Sequence, residues 1–137
     1  MLRRAFLVAL ALGWSALACK KELRCKHCGM KIDPASAWRT ELVGADGTVT
    51  SFDTPRCAFM SWRNGSSTAS TLRVQDYYER RWKNADALRF VVGGDVLGPM
   101  GPDLVPVDPS QVTKFIQDHG ADRALRVEEV TSTVLAR

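Results

Sequence analysis

Apolar and polar positions alternate in short blocks along this chain, and Gly, Pro, Asn or Asp stands at most of the breaks. Residues 38–43 read as a strand, Ala45-Asp46-Gly47 as a turn, and residues 48–52 as the antiparallel partner. Asp53 or Thr54 then caps a helix with Pro55 in its first turn. That helix carries Cys57, Ala58, Phe59, Met60 and Trp62, and Asn64-Gly65 ends it. A small polar loop covers residues 65–71. Residues 72–78 have strand character, being aromatic and β-branched, whereas residues 79–86 are charged and ambiguous. Phe90-Val91-Val92 reads as a buried strand closed by Gly93-Gly94. Residues 98–102 form a tight loop dense in turn formers, and residues 104–107 another strand. Asp108 starts a second helix, with Pro109 at its first position and Gln111 placed for a capping box. Val112, Phe115, Ile116 and His119 share one face of that helix, and Gly120 stops it. Residues 125–127 suit a last strand, and residues 128–135 a short helix or tail.

The two halves share a plan. Phe52-Asp53-Thr54-Pro55 parallels Val107-Asp108-Pro109, each following strands and opening a helix. The expectation is an α+β protein of two small ββαβ-type units packed into one compact domain. Asp53 and Asp108 are read as caps, and His119 as a packed or capping histidine.

The N-terminus has a different character. Arg3 and Arg4 precede an apolar run over residues 5–14, then Ser15-Ala16-Leu17-Ala18 leads to Cys19. A charged start, an apolar middle and a small-residue end read as an export signal, and the run is too short to span a bilayer. A small residue before cysteine resembles the bacterial lipobox, although Ala16 occupies the place where leucine is usual. This divides the chain into a lipoprotein signal peptide (1–18), a lipidated tether from Cys19 (19–24) and a metal-binding domain (25–137). The mature protein would then be extracytoplasmic and held at a bacterial membrane by the lipid on Cys19.

Charge narrows the partners. The formal net charge is +4, and without Arg3 and Arg4 it falls to +2. No dense basic patch with interleaved aromatics appears, so nucleic acid is not an expected partner. No nucleophile elbow, His-Glu-x-x-His or phosphate loop is present, so an enzyme is not expected.

The chemistry concentrates in Cys25-Lys26-His27-Cys28-Gly29-Met30. With Cys19 lipidated, Cys25, Cys28 and Cys57 remain, an odd number that cannot all pair within one chain. Cys25-x-x-Cys28 could be a redox centre, but a thioredoxin-like pair needs a helix behind it, and Pro34 prevents a continuous one. It could also be half of a structural zinc site, completed by Cys57 and His119 if the fold brings them together. A disulfide from Cys25 to Cys28 or to Cys57 is a further option. Cys28-Gly29-Met30 supports copper instead. In an extended chain residues two apart share a face, so thiolate and thioether could chelate one ion. Such soft donors suit Cu(I) and not calcium, magnesium or manganese. His27 and Met100 are further candidate ligands. Cys57 is a reserve ligand or disulfide partner, and Met60 reads as core.

The lipid-type cysteine, Cys28-Gly29-Met30-Lys31-Ile32, Phe52-Asp53-Thr54-Pro55-Arg56-Cys57, and Val91-Val92-Gly93-Gly94 leading to Gly98-Pro99-Met100-Gly101-Pro102 occur in one order. Together they resemble the NosL family, the lipoprotein copper chaperones that serve nitrous-oxide reductase. The resemblance implies two ββαβ-type units and Cu(I) held by Cys28 and Met30, with Met100 as the loop methionine. It also implies partners among copper-transporting or copper-enzyme maturation proteins. Cys25 departs from many members, and Cys57 occurs only in some.

Overall fold

The computed structural model describes residues 20–69 and 71–137. The expected signal segment and Cys19 lie outside the described residues. Strand β1 (Thr40–Val43) turns back into β2 (Val49–Phe52), with Thr40 opposite Phe52 and Val43 opposite Val49. Helix α1 (Pro55–Arg63) follows, and β3 (Thr71–Gln75) returns to the free edge of β1. A short β4 (Trp82–Asn84) completes an antiparallel sheet in the order β2-β1-β3-β4. In β3, Leu72 and Val74 point inward while Thr71, Arg73 and Gln75 stay partly exposed, as alternation requires.

The second half repeats this topology. Strand β5 (Arg89–Val92) is followed by a two-residue hairpin, β6 (Leu97–Gly98) and β7 (Gly101–Pro102), then by β8 (Val105–Val107). Helix α2 (Val112–His119) leads to β9 (Arg123–Leu125), and the sheet order is β8-β5-β9. Each unit is thus strand, strand, helix, strand, with the first strand in the middle. The second carries the hairpin as an insertion. Pro106 lacks an amide to donate, and it sits in β8, an edge strand, where that lack costs nothing to the ladder. The expected fold of two ββαβ units therefore stands.

The units share one main core. Leu42, Phe52, Phe59 and Leu72 from the first meet Leu88, Phe90 and Leu104 from the second. Phe59 meets Phe90 edge-on at 4.9 Å between ring centres. A smaller cluster of Val91, Val105, Val107 and Phe115 lies under α2. His119 packs there at 4.4 Å from Phe115 and bonds Asp95 at 2.8 Å, so it is the packed histidine its helix face implied.

Three local expectations change. The strand expected over 72–78 stops at Gln75. Asp76 is buried, and its carboxylate accepts from the amides of Glu79 (2.7 Å) and Asp108 (2.9 Å), bending the chain and tying the two units together. Asp108 caps a single 3-10 turn (Pro109–Gln111) through the amide of Ser110, and α2 starts only at Val112. Of the two candidate caps for α1, Thr54 serves, accepting from the amide of Cys57 at 3.3 Å. A short C-terminal helix, α3 (Ser132–Leu135), packs on α1. Arg63 holds the approach to it through the carbonyls of Val127 and Val130. No helix among the described residues is long and apolar enough to cross a membrane.

Candidate metal centre

The sulfur-bearing stretch folds as a knuckle ahead of β1. Arg24 and Lys31 form an antiparallel bridge, and the amide of Ile32 donates to Leu23 at 2.8 Å. Inside that bridge the amide of Cys25 donates to the Met30 carbonyl, and the amide of Gly29 to the Cys25 carbonyl at 2.9 Å. Gly29 sits at φ +78°, a left-handed position that a side chain would strain. Cys28 and Met30 are therefore separated by a turn and not by extended strand, which removes the shared-face argument for their pairing. Lys26 anchors the knuckle by donating to Ser51 of β2 at 3.2 Å. No helix starts at Cys25, so the helix-dipole setting of a thioredoxin-like centre is missing here.

The fold brings a third thiol to this pair. Cys57, in the first turn of α1, reaches the knuckle, and the sulfurs of Cys25, Cys28 and Cys57 all lie within 4.8 Å of one another. All three are free cysteines. Cys25 and Cys57 are buried, at 3% and 4% exposure, whereas Cys28 is half-buried. No histidine or carboxylate belongs to this cluster among the described residues, so the Cys₃His set with His119 is not assembled.

The three sulfurs are not electrostatically equal. Cys25 is held well below the ordinary thiol range because the Cys57 thiol donates to it, supported by the backbone amides of Cys28, Asp53 and His27. Cys57 is correspondingly pushed up, first by that hydrogen bond and then by burial. Burial also raises Cys28. These directions favour ionisation at Cys25 over Cys28 and Cys57. Asp53, expected as a cap, is instead buried next to Cys25. Burial and then the Cys25 charge raise its pKa, and its Oδ2 has no partner.

A cavity of about 260 Å³ opens onto the cluster, lined by His27, Cys28, Cys57, Met60 and Met100 among others. Met100 stands in the β6–β7 turn and is 56% exposed. The hairpin insertion of the second unit thereby places a thioether beside thiols of the first. Met30 is 42% exposed and is not part of this lining. Met60, read as core, is half-buried and faces the cavity from α1. Its spacing of three from Cys57 on one helix was the available signal. Arg56 and Asp103 close the remaining wall, with the Arg56 amide donating to Asp103 at 3.0 Å.

Comparison with known proteins agrees with this architecture. No curated protein matches the chain in sequence. The crystal structure of the copper chaperone NosL from Shewanella denitrificans superposes with a TM-score of 0.68 at 22% identity, over 80% of this chain and 90% of that one. At that identity the likeness establishes the fold. The NosL family model matches residues 16–135, nearly the whole chain. By that match the chain belongs to the NosL family.

Proposed function

We propose that this protein is a Cu(I) chaperone, anchored outside the cytoplasm by a lipid on Cys19. It would deliver copper to a copper enzyme of the nitrous-oxide reductase type or to its maturation machinery. The observation that carries the reading is the concentration of soft donors. Three thiols within 4.8 Å of one another open onto a cavity that also holds Met60 and Met100. Thiolates and thioethers favour Cu(I) over the hard cations. Cys28 leads the donor set because, of the two thiols shared by the cluster and the cavity wall, it is the half-buried one and Cys57 the buried one. Met30 and Met100 add exposed thioethers at the margin. Membership in the NosL family and the fold of a copper chaperone support the same reading.

Delivery needs ligand exchange and no catalytic acid or base. Copper stays Cu(I) throughout; one Cu–S bond forms with the recipient as one to the chaperone breaks. The half-buried Cys28 sulfur, with exposed thioethers at Met30 and Met100, gives the recipient a place to begin.

The test is titration of the full chain with Cu(I) under reducing, anaerobic conditions against a competing Cu(I) chelator. Tight binding that Cys28→Ser abolishes, with the fold intact, supports the chaperone. Absence of Cu(I) binding, together with unfolding on removal of zinc, would replace it with a zinc-stabilised module. Reduction of protein disulfides by Cys25 and Cys28 would indicate a thiol oxidoreductase.

A further inference from the structure

We infer that the resting position of the metal is a three-thiolate site made by Cys25, Cys28 and Cys57, with Met30 outside it. The inference rests on the Cu(I) reading above and specifies where the ion sits. A metal–thiolate distance of about 2.3 Å puts three sulfurs around one ion roughly 4 Å apart. The three sulfurs already lie within 4.8 Å of one another, so closure onto an ion takes a contraction of less than an ångström. Cys57 is not brought there by sequence proximity. The Thr54 cap and the first turn of α1 aim it at the knuckle, and Phe59, two residues on, is locked in the core.

The surroundings also fit an anionic cluster. Cu(I) with three thiolates carries two net negative charges, which burial alone would forbid. Here the Cys25 sulfur accepts from the amides of His27, Cys28 and Asp53. The N-terminus of α1, a nine-residue helix, presents its positive end beside Cys57. Arg56 lines the same cavity. Each thiol that becomes a ligand releases its proton to solvent, and no electron is transferred. Met30 is exposed and lies off the cavity lining, so in this arrangement it does not belong to the resting site.

The experiment uses the full chain loaded with one Cu(I), compared as wild type, Met30→Leu, Cys57→Ser and Cys57→Ala. X-ray absorption should report three sulfurs in the wild type and still three in Met30→Leu, whose surface position does not endanger the fold. Either Cys57 variant should drop to two sulfurs and lose about a hundredfold or more in affinity against the chelator. A fall to two sulfurs in Met30→Leu would overturn the inference by making Met30 a resting ligand, and Cys57 variants that fold and keep wild-type affinity would overturn it by removing Cys57 from the site. If the Cys57 variants fail to fold, the Met30→Leu spectrum alone decides. A wild type that binds no Cu(I) would instead remove the chaperone reading itself.

Discussion

The amide of Cys25 donates to the carbonyl of Met30 at 2.8 Å, closing the knuckle through backbone while the Met30 side chain stays at the surface. The residue thus has two separable contributions, one from its main chain and one from its sulfur. Met30→Leu should change stability by no more than about 0.5 kcal/mol. Gly29→Ala, which forces a side chain into the left-handed region, should cost about 1–2 kcal/mol. Urea unfolding of both variants checks this. A large loss in Met30→Leu would show that its side chain holds the knuckle.

Met100 offers a kinetic prediction. It overhangs the cavity from the hairpin, half exposed, beside Cys28 and Cys57. Met100→Leu keeps bulk and removes the sulfur. It should slow copper transfer to a chelator severalfold while shifting equilibrium affinity by less than about tenfold, well below the effect of Cys28→Ser. Stopped-flow transfer and equilibrium competition, run on the same samples, separate the two. Equal losses in both would make Met100 a resting ligand.

Asp103 predicts a pH dependence of stability. Burial raises its pKa above the ordinary 3.8, against the hydrogen bonds it accepts from Thr54 and from the amides of Leu104 and Arg56. In the folded state it therefore keeps its proton to higher pH than in the unfolded chain. As pH rises from about 3.8 through the raised value, the folded state holds more protons, and this group's contribution to stability falls. Asp103→Asn retains an acceptor and cannot ionise. Its stability relative to wild type should therefore increase across that window and level off above it. Denaturant midpoints measured at several pH values give the difference, and an opposite slope would contradict the assignment.

Arg63 tests the C-terminal clasp. Its guanidinium donates to Val127 at 2.6 Å and Val130 at 2.9 Å, across 64 and 67 residues of sequence. Arg63→Ala should destabilise the fold by about 1.5–3 kcal/mol. Limited proteolysis should then cut first near residues 127–137. An unchanged cleavage pattern would mean that α3 is held by its packing on α1 alone.

What could be read in the sequence was local. Thr54-Pro55 and Gly120 announce helix ends because their side chains and backbone freedom act within four residues. The parallel between Thr54-Pro55 and Asp108-Pro109 revealed the duplicated plan. Long-range contacts were harder. Residues 72–78 look like one strand until Asp76 meets the amide of Asp108, 32 residues away. Cys57 gave no sign of which partner it would meet, since its place depends on how α1 packs against the knuckle. The pairing of Cys28 with Met30 assumed extended backbone, which the left-handed Gly29 interrupts. Met100 entered through resemblance, and its hairpin explains how a distant residue reaches the cysteines.

The hairpin insertion breaks the symmetry of an otherwise duplicated fold, and it does so at the seam where the donors gather. Thiols come from the first repeat and the segment before it, the overhanging thioether from the second. A bound ion on the three thiols would therefore pin the N-terminal knuckle to helix α1 of the first repeat, stabilising the fold by an amount that grows with the logarithm of its affinity. Removing it would leave the knuckle held by its backbone hydrogen bonds, so protection of residues 25–30 against proteolysis would report directly on whether the site is filled.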